Sequence, residues 1–229
     1  MNKTKPRNPY NICTLDPNSN CNDCKNNNVL DCKLDTKQSI ITSLIIYSFI
    51  IISALGLFIV GRITGSYWML FVYAIFVILF FIVIEPRITC SHCPFYAEKR
   101  FRFNCPGNLL TPKLWKFYPE PMNKYEKFGT LIGFIFFGAF PILTDLFGIY
   151  YLFTKGFGVF DLELFELIVI LLSTIFLISI LYAVFLFSYC TKCVNFSCQF
   201  NKVPKPIVDS YLKANPVLKE AWEKSGYKF

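Results

Sequence analysis

Long apolar runs alternate with polar segments along this chain, and their lengths predict helices that cross a membrane. A helix needs about 20 mainly apolar residues to span the hydrocarbon layer. Four runs approach or exceed this length, over residues 40–60, 67–84, 128–153 and 164–189. Glu85-Pro86 closes the second run and predicts the end of that helix. The pattern predicts an all-α integral membrane protein, a four-transmembrane-helix bundle.

The polar segments between the runs predict how the helices are connected. Residues 61–66 and 154–163 are short connections, so the bundle is expected to consist of two helical hairpins. The remaining polar segments then share one side of the membrane. We predict three regions: a cysteine-rich N-terminal segment at 1–38, a membrane domain at 39–189 that includes a loop at 85–127, and a tail at 190–229.

Charged residues are distributed unequally over the two sides of this predicted topology. Of the 23 Lys and Arg residues, six precede the first run, eight lie in the 85–127 loop and seven lie in the tail. Arg62 and Lys155 alone fall on the other side. Lys and Arg concentrate in cytoplasmic loops, so both termini are expected in the cytoplasm of a multi-pass cell-membrane protein. The net charge of +8 is then explained by topology and lipid headgroups, and no nucleic-acid partner is expected.

Every cysteine lies outside the four apolar runs and on the predicted cytoplasmic side. Three Cys-x-x-Cys pairs occur, and the first precedes the first hairpin while the others follow the two hairpins. This spacing allows two sulfurs to face one ion, as in zinc ribbons and iron–sulfur sites. The candidate metal ligands are Cys13, Cys21, Cys24, Cys32, Cys90, Cys93, Cys105, Cys190, Cys193 and Cys198.

The predicted cytoplasmic location limits the chemical roles that these cysteines can have. Cytoplasmic thiols are kept reduced, so clusters of them more often bind metal or carry out redox chemistry than form structural disulfides. We expect an iron–sulfur cluster or zinc, and the spacing leaves the choice between them open. Dithiol redox chemistry is the alternative, and a disulfide framework would replace both if the orientation were reversed.

The cysteines are expected to form two sites. Cys13, Cys21, Cys24 and Cys32 are close enough in sequence to fill one tetrahedral site in a segment with little apolar core, which would need metal to fold. The other site arises from a coarse repeat, a hairpin followed by Cys-x-x-Cys, which occurs twice. A pseudo-two-fold axis along the membrane normal would bring Cys90, Cys93, Cys190 and Cys193 together. Cys105 and Cys198 are possible substitutes for these ligands.

We make three further predictions, for the histidine, the tail and the carboxylates. His92 is expected to be an exposed turn residue or to support a ligand. Two short amphipathic helices are expected in the tail, one near Pro206 and one capped by Asn215, with apolar faces that cover the cysteine site, lie on the membrane or bind a partner. The carboxylates near the ends of the runs are expected to be solvated, with Asp145 a candidate for a role such as proton relay.

The helix number and the placement of Cys-x-x-Cys pairs at one bundle end resemble the four-helix membrane enzymes of disulfide formation and the vitamin K epoxide reductases. The resemblance implies reactive cysteine pairs beside a quinone. The predicted orientation and the ten cysteines depart from that pattern. The expected function is therefore metal binding in an electron-transfer or accessory subunit of a membrane complex, with other membrane or cytoplasmic subunits as partners. The alternatives are a quinone-coupled thiol–disulfide oxidoreductase and a zinc-braced scaffold or anchor.

The predicted orientation can be tested on the native cysteines. A membrane-impermeant maleimide added to intact cells should label none of them, because all would face the cytoplasm. Permeabilised cells of the same batch serve as the positive control. Labelling of Cys105 or Cys198 in intact cells, measured by mass spectrometry, would show that the orientation is reversed.

Overall fold

The structure is a computed structural model, and it describes residues 10, 12–13, 26, 29–32, 36–98, 105, 112–155 and 162–229. Within these residues the chain forms helices and no strand. The α-helices are α1 (Thr36–Thr64), α2 (Trp68–Leu79), α3 (Glu85–Ile88), α4 (Lys124–Thr154), α5 (Leu162–Val184), α6 (Lys205–Lys213) and α7 (Pro216–Lys224). Phe80–Ile84 and Phe185–Tyr189 form π turns, and Cys90–His92 and Pro94–Ala97 form 3₁₀ turns.

Four helical stretches in the described chain are long and apolar enough to cross a membrane, which confirms the four predicted runs. They are Lys37–Thr64, Trp68–His92, Lys124–Thr154 and Leu162–Tyr189. Each begins and ends within a few residues of the predicted run, except that the second extends further. Large apolar side chains such as Phe71, Leu172 and Phe176 are exposed on their outer surfaces.

Close contacts at the glycines of α4 show the relative directions of the helices. Asp145 of α4 lies against Gly56 of α1, and Gly148 lies against Val60, so these two helices run parallel. Gly138 lies against Ile178 of α5, whereas Gly148 also lies against Leu167, so α4 and α5 run antiparallel. The start of α1, the start of α4 and the end of α5 therefore lie at the same end of the structure.

The second long stretch packs antiparallel to α4 through aromatic rings. Phe80 lies against Gly133, and Tyr73 stacks on Phe140 with ring centroids 5.7 Å apart. Phe49 and Phe137 fill the centre between α1, α2 and α4, and both are almost completely buried. The residues that follow Ile84 are thereby placed at the same end as the start of α4.

Pro141 lies inside α4, and the helix continues through it. Proline has no backbone N–H, so it cannot bond the carbonyl four residues earlier, that of Phe137. The hydroxyl of Tyr73 donates to that carbonyl at 2.9 Å. One turn away, the hydroxyl of Tyr182 donates to the Phe134 carbonyl at 2.5 Å. Side chains of neighbouring helices thus supply the hydrogen bonds that an apolar environment demands.

The predicted end of the second run at Glu85-Pro86 is wrong. The helix continues through α3 to Ile88 and into the 3₁₀ turn at Cys90–His92. Pro86 occupies the first turn of α3, where a missing N–H costs little. The preceding π turn ends with the Glu85 N–H bonded to the Phe80 carbonyl five residues earlier. This wider turn replaces the regular pattern that the proline ring would disrupt.

The tail forms the two predicted short helices, α6 and α7, and their apolar faces are buried. Val208, Tyr211 and Leu212 of α6 and Leu218 and Trp222 of α7 join the same core as Cys90 and Cys93. Of the three expected roles for these faces, the structure shows that they cover the cysteine-bearing end.

Two glycines of α4 form a matched pair that tests the packing. A Cβ at Gly133 would overlap the buried ring of Phe80, which Phe76, Phe81 and Phe134 surround. Gly133→Ala should therefore destabilise the protein by about 1–3 kcal/mol through overpacking. Gly129→Ala is the control, because its Cβ would meet only Ile88 Cδ1 at an ordinary 3.5 Å.

Thermal unfolding in the same detergent should separate the two variants. Gly129→Ala should be neutral or raise Tm, because alanine favours helix over glycine by about 1 kcal/mol. Equal melting of both variants would contradict the antiparallel contact between Phe80 and α4.

Candidate cysteine site at one end of the helices

Two Cys-x-x-Cys turns directly continue the second and fourth long helices. In the first, the Cys93 N–H donates to the Cys90 carbonyl at 2.9 Å, and the Tyr96 N–H donates to the Cys93 carbonyl at 2.8 Å. In the second, the Cys190 N–H donates to the Phe185 carbonyl and closes a π turn. A π turn thus lies close before each pair, and such turns are frequent at functional sites.

Hydrogen bonds of Asn195 join the two turns to each other. Its side-chain Nδ2 donates to the Thr89 carbonyl at 2.9 Å, across 106 positions of sequence. Its Oδ1 accepts from the hydroxyl of Ser197, and its backbone N–H donates to the Cys193 sulfur at 3.4 Å. Asn195 is 5% exposed, so water cannot readily replace these bonds, and the two turns are held side by side.

The N-terminal segment and the tail are tied to the same place. The Cys13 N–H donates to Asn215 Oδ1 at 2.7 Å, and the Tyr211 hydroxyl donates to the Cys13 carbonyl. The Asp31 N–H donates to the Lys192 carbonyl at 2.9 Å, within the second turn. Cys13 and Asn215, which are 202 positions apart in the sequence, thus meet at this end of the helices.

A compact apolar core surrounds these turns. Cys90 and Cys93 belong to it and are 6% and 4% exposed, while Cys13, Cys32 and Cys105 pack against it. Val194, next to Cys193, is also in this core. Cys21 and Cys24 lie outside the described residues. The predicted separation of an N-terminal site from a second site is therefore open, but Cys13 and Cys32 adjoin the same core as the other cysteines.

Burial and mutual repulsion both act on the thiols. Burial raises the pKa of Cys93 well above its ordinary range, and Cys105 and Cys198 raise it further. Burial likewise raises the pKa of Cys193, with added repulsion from Cys93, Cys105 and Cys198. Cys93 and Cys193 therefore lie within electrostatic range of each other and of both Cys105 and Cys198, and Cys90 lies within range of Cys93 and Cys105.

Cys198 and Cys190 differ in their surroundings. Burial raises the pKa of Cys198 from its ordinary 9.0 to about 11, and repulsion from Cys190 also raises it. Burial also raises the pKa of Cys190, but the nearby Lys202 ammonium lowers it. The thiol of Cys90 donates to Glu85 Oε1 at 3.1 Å. Cys90, Cys93, Cys190, Cys193 and Cys198 form no disulfide in the described part of the chain.

Without a bound cation, the arrangement favours protonated thiols. A nucleophilic dithiol needs a thiolate with a lowered pKa, whereas burial raises the pKa here. A bound cation reverses this, because it stabilises thiolates directly. Among the described residues, no three Cys, His, Asp or Glu side chains are already arranged as ligands of a metal ion.

The expectation that His92 is an exposed turn residue is wrong. Its side chain is 6% exposed, and its Nε2 lies 3.4 Å from Glu126 Oε1. Its Nδ1 lies 2.6 Å from the Glu120 carbonyl oxygen. Glu126 also pairs with Arg87 at 3.6 Å. His92 thus links the first Cys-x-x-Cys turn to the start of α4.

Sequence reasoning missed the polar residues that assemble the site. Asn195 and Asn215 join distant segments, and the Lys113 ammonium bonds the carbonyls of Phe95, Tyr96 and Glu98. Asn215 occupies its predicted cap position, but its side chain bonds Cys13 and the Tyr211 carbonyl instead of capping α7. The only local signal was an Asn soon after Cys193, which is common in ordinary turns.

Comparison with known proteins gives no match: no family model, no curated protein and no solved structure is similar to this chain.

The pKa of Cys198 leads to a prediction for metal-free protein. Its alkylation rate should rise with a midpoint near pH 11, because only the thiolate reacts. The native state holds this proton after the unfolded state has lost it, so this thiol's contribution to stability should fall as pH rises from about 9 towards 11. Alkylation should be followed by peptide mass spectrometry.

Denatured protein is the control, because unfolding removes the burial and should return the midpoint to about 9. A native midpoint at or below that of the denatured protein would show that Cys198 is activated, and would favour thiol chemistry over a cation site.

Proposed function

We propose that this chain is a multi-pass membrane protein whose cysteine-bearing end binds a metal, as zinc or an iron–sulfur cluster. The observation that carries the proposal is the meeting of cysteines from distant segments at one end, where Asn195, Asn215 and buried apolar side chains hold them. A cluster of buried thiols that repel one another as thiolates is stabilised by a bound cation.

Membrane insertion as two helical hairpins is the first part of this proposal. The four apolar stretches have the required length, and their exposed faces carry large apolar side chains that water would disfavour. The excess of Lys and Arg favours a cytoplasmic location for the cysteine-bearing end and both termini.

Cys93, Cys105, Cys193 and Cys198 are the best candidates for one four-cysteine site. Repulsion among these thiols accompanies the high pKa of Cys93 and Cys193, and Cys90 is adjacent. Cys190 is a weaker candidate, because the charge that acts on it is the Lys202 ammonium and the only proposed ligand within its electrostatic range in the described chain is Cys198. This ligand set differs from the two complete pairs expected from sequence, because Cys105 and Cys198 take the places of Cys90 and Cys190.

Cys13, Cys21, Cys24 and Cys32 would form the second site. Cys13 and Cys32 adjoin the same core as Cys93, so the two sites would be neighbours. Two iron–sulfur clusters so placed would suit an electron-transfer or accessory subunit that docks other subunits. Zinc in both places would instead brace a scaffold or anchor.

The test is elemental analysis of anaerobically purified protein, together with its visible absorption. Iron with sulfide and a brown colour supports electron transfer, and zinc in colourless protein supports a scaffold. Protein without either metal, whose thiols cycle with a quinone, would refute metal binding and support the thiol–disulfide oxidoreductase.

Two single variants identify the ligands. Cys93→Ser should lose the metal of the four-cysteine site, and Cys190→Ser should retain it, although both replace a cysteine of a Cys-x-x-Cys turn. Structural zinc contributes on the order of 10 kcal/mol in small domains, so the Tm of Cys93→Ser should fall towards that of chelated wild-type protein, in which both sites are empty. Equal metal content in both variants and wild type would exclude this ligand set.

A further inference from the structure

Three polar side chains are buried among the long helices without a partner in good hydrogen-bond geometry in the described chain, although the Ser53 hydroxyl lies close to that of Tyr73. They are Ser53 of α1, Asp145 of α4 and Thr174 of α5, and none is measurably exposed. Both carboxylate oxygens of Asp145 are unpaired. The expectation of solvated carboxylates therefore fails at Asp145, although it holds for Glu163 and Glu166, which pair with Arg62 at 3.4 and 3.2 Å.

Helix register places the three side chains at nearly the same depth. Asp145 lies against Gly56, and Ser53 is one turn earlier on the same face of α1. Gly138 meets Ile178 and Gly148 meets Leu167, which sets Thr174 opposite Pro141 of α4, one turn from Asp145. At 1.5 Å per residue, the three side chains fall within about 6 Å along the helix axes.

No cation near Asp145 is available to neutralise its charge in the described residues. The hydroxyls of Tyr73 of α2 and Tyr182 of α5 donate to carbonyls of α4 about two and three turns before Asp145, and Glu166 of α5 lies about one turn beyond it, in the direction of Arg62. Arg62 lies at the far end of α1 with its two carboxylate partners. An unpaired carboxylate in an apolar interior is costly, so this environment favours the neutral acid.

We propose that Asp145 is a proton-binding site within the membrane domain. A neutral carboxyl can donate one hydrogen bond and accept another, and the hydroxyls of Ser53 and Thr174 are the candidate partners near its depth, although the structure itself does not form these bonds. A proton fits the site better than a metal cation does, because Asp145 packs directly on Gly56 and metal cations need about six or more oxygens. The proposal is independent of the cysteine site, since it depends on other residues.

Infrared spectroscopy of wild-type protein in lipid vesicles tests the proposal directly. The carboxylic C=O band of a neutral acid should be present at about pH 7 and be lost in Asp145→Asn, whose amide has nearly the same size and no charge. Thr174→Val and Ser53→Ala should shift that band, because they remove its candidate hydrogen-bond partners. A spectrum at the same pH that shows Asp145 only as carboxylate would overturn the proposal.

Thermal unfolding gives a second, independent readout. The native state would keep a proton that the unfolded state releases, so wild-type Tm should fall relative to that of Asp145→Asn as pH rises from about 5 to 9. Glu166→Gln is the control for loss of a carboxylate at a solvated position and should show no such divergence. Parallel pH profiles for wild type and Asp145→Asn would contradict a bound proton.

Discussion

The relative direction of the four long helices is the constraint on which the cysteine site depends. Because α1 and α4 run parallel while the second and fourth stretches run antiparallel to them, the cysteine-bearing segments that the structure describes meet at one end. The directions are set by close contacts at small residues, such as Gly133 beneath Phe80 and Gly148 beside Val60 and Leu167. A side chain at these positions would separate the helices and move the turns apart.

The number and location of the long helices could be predicted from the sequence, because a membrane-length apolar run is a strong local signal. The end of the second helix could not. Pro86 usually indicates a break, but the π turn before it changes the hydrogen-bond pattern that the proline would disrupt. Whether the helix ends or continues at Pro86 depends on the backbone hydrogen bonds of the whole stretch from Phe80 to Ile88, and the identity of one residue does not reveal them.

The sequence predicted which cysteines lie at the site better than it predicted which contacts bring them together. The Cys-x-x-Cys spacing identified the turns, but the bonds from Asn195 to Thr89 and from Asn215 to Cys13 join residues 106 and 202 positions apart. An asparagine in a turn has the same local appearance whether it caps a helix or joins two segments. The sequence could not decide between the two expected roles of His92 for the same reason, because its contacts are with Glu126 and the Glu120 carbonyl, which are distant in sequence.

The basic residues at this end have a consequence beyond orientation. Four thiolates around one divalent ion leave a net negative charge, which needs compensation from the surrounding protein. Lys113 lowers the pKa of Cys93, Lys127 lowers that of Cys198 and Lys202 lowers that of Cys190, each against the larger effect of burial. The same lysines that favour a cytoplasmic location therefore also reduce the cost of collecting thiolates in an apolar core. Bilayer topology and metal chemistry would thus favour the same charge distribution.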